Sequence, residues 1–61
     1  MITLRVWEDT IRDGWISSWD YCDTLEEARE VAGCLIAFPA ADAKAVEVQI
    51  LDGSDVMEVY R

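Results

Sequence analysis

The sequence predicts an α+β fold of ββαββ order: a four-stranded, mostly antiparallel sheet with one helix packed on one face. Three observations carry this. Ile2, Leu4 and Val6 alternate with Thr3, Arg5 and Trp7, the period of a half-buried strand. Leu25, Ala28, Val31, Ala32, Leu35 and Ile36 form one stripe at helical spacing. Two Asp-Gly dipeptides, Asp13-Gly14 and Asp52-Gly53, supply the positive φ that tight hairpin turns need.

The first hairpin runs from Ile2 through Asp13-Gly14 and returns over Trp15 to Tyr21. With Arg12 facing Trp15 across a two-residue turn, Val6 pairs with Tyr21 and Glu8 with Trp19. Tyr21 then shares a face with Ile2, Leu4 and Val6, while Trp7, Ile11, Ile16, Ser18 and Asp20 take the other. Thr24-Leu25-Glu26-Glu27 reads as a capping box, in which the Thr24 hydroxyl accepts from the Glu27 amide and the Glu27 carboxylate returns a bond. Asp23, Glu26 and Glu27 sit where the helix dipole favours negative charge. Phe38 extends the apolar stripe, and Pro39 ends the helix, because the residue before proline avoids helical geometry. After a loop at residues 40–43, Ala45 to Leu51 forms the third strand, with Val46, Val48 and Ile50 on one face. Asp52 to Asp55 turns the chain into the fourth strand, Val56 to Tyr60; a four-residue loop places Ile50 opposite Met57 and Val48 opposite Val59, and a two-residue loop at Asp52-Gly53 keeps the same faces together. Residues 1–61 form a single domain.

The chemistry is as informative for what it lacks. There is no histidine, which removes the commonest general base and the commonest metal ligand. Cys22 and Cys34 match no zinc spacing. They lie among Asp20, Asp23, Glu30 and apolar residues, which disfavours a thiolate, so they read as reduced, buried thiols of a cytoplasmic protein. No Gly-rich phosphate loop occurs, and Asp52-Gly53-Ser54-Asp55 lacks the further ligands of a calcium loop. These absences predict no enzyme, no metal and no cofactor. No apolar run approaches the ~20 residues of a membrane span, and the N-terminus does not read as a secretory signal.

Charge points to a partner. Thirteen Asp and Glu oppose five Lys and Arg, a formal net charge of −8. Such a surface repels nucleic-acid backbones and anionic lipid and attracts a basic protein surface. One helix covers one sheet face, so the other meets water or a partner. The pairing above places Trp7, Ile11, Ile16, Leu51, Val56 and Tyr60 there, among Asp20, Glu47, Gln49 and Glu58. Aromatic anchors rimmed by charge have the composition of an interface, for a foreign partner or for a homodimer. On the outer helix face Glu26 and Glu30 form an anionic stripe, with Arg29 within reach of Glu26. Gly33 and Ala37 beside it are small enough for close approach by another backbone. Trp7, Asp20, Glu26, Glu30, Glu47, Glu58 and Tyr60 are the candidate partner-binding residues.

In size, charge, Asp/Glu spread and absent catalytic groups, the chain resembles, at class level, the small acidic proteins that phages encode against nucleic-acid-binding enzymes, the anti-restriction and anti-CRISPR inhibitors. The resemblance covers the whole chain and rests on no residue-level motif. It implies a DNA-mimicking inhibitor that acts by protein–protein contact in the host cytoplasm.

Overall fold

A computed structural model describes residues 1–61. It has five elements: β1 (Ile2–Thr10), β2 (Gly14–Cys22), α1 (Leu25–Ala37), β3 (Ala43–Asp52) and β4 (Asp55–Tyr60). The strands form one sheet in the order β2-β1-β3-β4, with every neighbouring pair antiparallel. The architecture is the expected ββαββ. The strand order adds what sequence patterning does not carry: β1 and β3 are central, β2 and β4 are edges, and α1 crosses over β1 to connect β2 with β3.

The core lies between α1 and one sheet face. Leu4, Val48 and Ile50 are fully buried there, and Val6 and Cys22 nearly so, against Ala28 and Ala32 of the helix. Fully burying each of the three large side chains contributes about 1.5–3 kcal/mol. The two alanines, also fully buried, let the helix sit close to the sheet. Leu25, Val31, Leu35 and Ile36 pack around them, as their spacing requires. Phe38 does not extend the stripe. It is the C-cap residue, its N–H donates to the Cys34 carbonyl at 2.8 Å, and its ring is 80% exposed. At the other end the Glu27 amide donates to Thr24 Oγ1 at 3.1 Å, as the capping box requires. The return bond to the Glu27 carboxylate comes from the Asp23 amide at 3.4 Å, one residue before the cap.

Both hairpins differ from expectation in register, and the differences exchange faces. In the first, Thr10 lies opposite Gly14 around the three-residue loop Ile11-Arg12-Asp13. The Thr10 hydroxyl accepts from the Asp13 amide at 3.0 Å and donates to the Gly14 carbonyl at 3.1 Å, and Gly14 adopts φ +70°. Val6 therefore pairs with Ser18 instead of Tyr21, and Glu8 with Ile16 instead of Trp19. The odd displacement, three residues, turns every β2 side chain over. Ile16, Ser18 and Asp20 lie on the helix side, and Trp15, Trp19 and Tyr21 join Trp7 on the open side. Ile11 belongs to the turn.

In the second hairpin, Asp52 pairs with Asp55 around Gly53-Ser54, and Leu51 with Val56. The register then shifts by one at Ile50/Leu51, so Ile50 opposes Glu58 and Val48 opposes Tyr60. This bulge carries Glu58 and Tyr60 to the helix side, where Tyr60 packs against the core, turns Val59 outward opposite Gln49, and leaves Met57 without a cross-strand partner.

Candidate functional site

The open sheet face is the first of two surfaces. By register it carries Arg5, Trp7 and Asp9 from β1, Trp15, Trp19 and Tyr21 from β2, Glu47, Gln49 and Leu51 from β3, and Val56 and Val59 from β4. Trp15 is 57% exposed, Trp19 54% and Tyr21 67%. Arg5 organises this face. Its guanidinium carbon lies 4.5 Å from the Trp7 ring centroid and 5.2 Å from that of Trp19, its cross-strand partner. Such contacts contribute about 0.5–1 kcal/mol each at exposed sites and more when desolvated. Arg5 has no carboxylate partner, and its buried Nε has no hydrogen-bond acceptor. The acids on this face are both paired, Asp9 with Lys44 at 3.8 Å and Glu47 with Arg61 at 2.8 Å. The aromatic face therefore carries little of the excess negative charge.

The second surface lies on the flank of α1. A groove of about 540 Å³ is lined by Glu27, Glu30, Val31, Cys34, Leu35 and Phe38. Its wall is apolar and its rim anionic. Four cations of the chain are paired elsewhere, the N-terminal amine with Asp52, Arg29 with Glu58, Lys44 with Asp9 and Arg61 with Glu47; Arg5 lies over Trp7 and Trp19, and Arg12 forms no ion pair. Asp20, Asp23, Glu26, Glu27 and Glu30 form no ion pair. Asp20 Oδ1 accepts from the Tyr21 amide at 2.8 Å, and Glu27 serves the helix cap. Burial pushes the Cys22 thiol up, and the neighbouring Glu27, Asp20 and Asp23 carboxylates push it further. That thiol is held protonated. Cys34, expected to be buried, is exposed in the groove wall. No group of three or more His, Cys, Asp or Glu side chains is placed to hold a metal ion.

The structure scatters the sequence-derived candidates. Glu30 lines the groove; Glu26 is on the outer helix and Asp20 on the helix side of β2, and neither lines it. Trp7 is half-buried beneath Arg5 on the opposite face, with Glu47 on the same side. Glu58 and Tyr60 are engaged within the chain. Glu58 Oε2 accepts from Arg29 Nε at 2.8 Å and Nη2 at 2.6 Å, and Glu58 Oε1 accepts from the Tyr60 hydroxyl at 2.7 Å. These donors hold the Glu58 carboxyl below its usual value, Arg29 contributing most, and the same bond raises the Tyr60 phenol. Arg29 thus reaches β4 instead of Glu26, which is left free. Nothing lies within 4 Å of a Cβ built on Gly33, so the structure holds no close approach there. Trp15, Trp19, Tyr21 and the groove residues Val31, Leu35 and Phe38 were absent from the candidates. The signal for the aromatics is the in-phase run Trp15, Ser17, Trp19, Tyr21, once Gly14 rather than Asp13 closes the turn.

Comparison with protein-family models, curated proteins and solved structures finds no match for this chain.

Proposed function

We propose that this chain is a non-catalytic binding domain that docks a basic protein segment in the groove on the flank of α1. The carrying observation is the pairing of an apolar wall, Val31, Leu35 and Phe38, with rim carboxylates that no cation of the chain neutralises. An apolar centre inside a charged rim has the anatomy of a protein interface. Carboxylates without a partner steer a basic surface toward it. The basic cleft of a nucleic-acid-binding enzyme has the matching chemistry. Occupying it would inhibit that enzyme, the action implied by the resemblance to phage-encoded acidic inhibitors.

Capture from a host lysate at low and high ionic strength, followed by mass spectrometry, tests the reading. The expected partner is basic, is retained at low salt and released at high salt, and is lost with Glu30→Lys or Phe38→Ser but kept with Asp55→Lys. An acidic or uncharged partner, or capture indifferent to the two groove variants, overturns it.

A second reading, a homodimeric module, is supported by the other surface. The three β2 aromatics stand more than half exposed on a face whose acids, Asp9 and Glu47, are both paired.

A further inference from the structure

β2 is an edge strand, and the directions of its backbone groups can be derived. The Gly53 amide donates to the Met1 carbonyl at 3.4 Å and the Ile11 amide to the Asp42 carbonyl at 2.9 Å. Odd-numbered residues along β1 therefore turn their backbone groups toward β3, and even-numbered ones toward β2. By register the even residues of β1 meet Gly14, Ile16, Ser18, Asp20 and Cys22. The N–H and C=O groups of Trp15, Ser17, Trp19 and Tyr21 must then face away from the sheet. The Tyr21 amide provides an independent check: its acceptor is the Asp20 side chain and not β1.

The two edges are protected very differently. β4 is six residues long, bulged beside Leu51, and carries Asp55 and the Arg29–Glu58 pair. Shortness, bulges and charge are what keep an edge from pairing. β2 has nine residues, pairs with β1 without a shift, and is uncharged from Gly14 to Trp19. Asp20 blocks the amide at Tyr21, so the free run is Trp15 to Trp19, centred on Ser17.

We infer that β2 is the seam of a homodimer, in which β2 of a second copy pairs with it antiparallel about Ser17 to give one continuous eight-stranded sheet. The inference rests on the homodimeric reading and moves its contact from the sheet face to the sheet edge. In this register Ser17 faces Ser17 of the second copy, and Trp15 faces Trp19 of the second copy, twice. These are aromatic cross-strand pairs. The twofold axis stands perpendicular to the sheet, so both helices share one side and both aromatic faces the other. Arg12, a cation with no partner in its own chain, is carried alongside the Cys22–Asp23 end of the second copy. The seam itself is uncharged, which a chain of charge −8 requires if it is to meet itself.

Sedimentation equilibrium with two Ser17 variants tests this. Wild type is expected to dimerise, more strongly as added salt screens the mutual repulsion, the opposite of the salt response of a basic partner. Ser17→Pro removes an outward amide and leaves the β1 ladder intact. Two bonds across the axis are lost, so dimerisation weakens about tenfold or more. A circular dichroism spectrum matching wild type accompanies this result. In a Cys34→Ser background, Ser17→Cys forms an intermolecular disulfide on mild oxidation, because directly paired strand residues lie within disulfide reach. Tyr21→Cys, opposite position 13 of the second copy and about 26 Å from its own counterpart, does not. A wild type that stays monomeric at every salt concentration overturns both the seam and the homodimeric reading. A dimer that persists in Ser17→Pro and does not cross-link through Ser17→Cys overturns the seam alone.

Discussion

Thr10→Val is the most revealing single change to the fold, because the Thr10 hydroxyl closes the turn on which the β2 register depends. The side chain is 4% exposed and makes two hydrogen bonds, at 3.0 and 3.1 Å. Each contributes about 0.5–1.5 kcal/mol net. The Asp13 amide lies in an exposed loop and recovers a bond to water. The Gly14 carbonyl belongs to a half-buried residue and recovers less. Valine keeps the shape, so packing changes little. The expected cost is about 1–2 kcal/mol, a fall in Tm of about 5–15 °C for a domain of this size. Thr10→Ser keeps both bonds and is expected to lose less than half as much. Thermal and urea unfolding followed by far-ultraviolet circular dichroism measure both variants. If Thr10→Val unfolds with the wild type while Thr10→Ser does not, the hydroxyl does not hold the turn, and the physical reason given for the register fails.

Three further outcomes follow from the same geometry. Gly33→Ala stabilises the chain by about 0.5–1 kcal/mol, because Gly33 is inside α1 and the added methyl meets nothing; a destabilised variant in urea unfolding would mean that an unseen contact lies there. A double-mutant cycle between Arg5→Met and Trp19→Leu gives a favourable coupling of about 0.5–1 kcal/mol, and strictly additive losses would remove the stacked arrangement. Glu58 has a folded pKa depressed by Arg29 and then Tyr60, so its stabilisation is present above the unfolded carboxylate value, about 4.3, and is lost as pH falls through the folded one. The stability gap between wild type and Glu58→Gln should therefore shrink on going from pH 7 to pH 3, and a gap that stays constant would contradict the bonding of Glu58 to Arg29 and Tyr60.

The helix was legible because its signals are local. Thr24 and Glu27 are three residues apart, the apolar stripe lies within one segment, and Pro39 stops it. The alternation of β1 and β3 was legible for the same reason. Pairing was not. Asp13-Gly14 suits a two-residue turn and equally a three-residue loop in which Gly14 takes the closing left-handed position, and the choice rests on the side chain of Thr10. One such choice reverses a whole strand, so Tyr21 was placed on the helix side and Asp20 on the open one. The bulge at Ile50/Leu51 did the same for Glu58 and Tyr60. Their capture by Arg29 depends on where α1 lies across the sheet, and no local pattern encodes the order β2-β1-β3-β4. Glu26 and Glu30 were legible as acids on the outer face of a capped helix, whereas Asp20 reaches the helix side only through the change of register. The groove that Glu30 borders was not, because Phe38 was assigned to the core.

Residue-resolved amide hydrogen exchange along β2 tests most directly the claim that this strand offers a free edge beside an aromatic face. In dilute solution the amides of Ile16, Ser18 and Asp20, bonded to β1, should exchange slowly, while those of Trp15, Ser17 and Trp19 exchange quickly. Raising the protein concentration should slow the second set and leave the first unchanged. Uniform protection along β2, or slow exchange at the odd positions in dilute solution, would contradict the account.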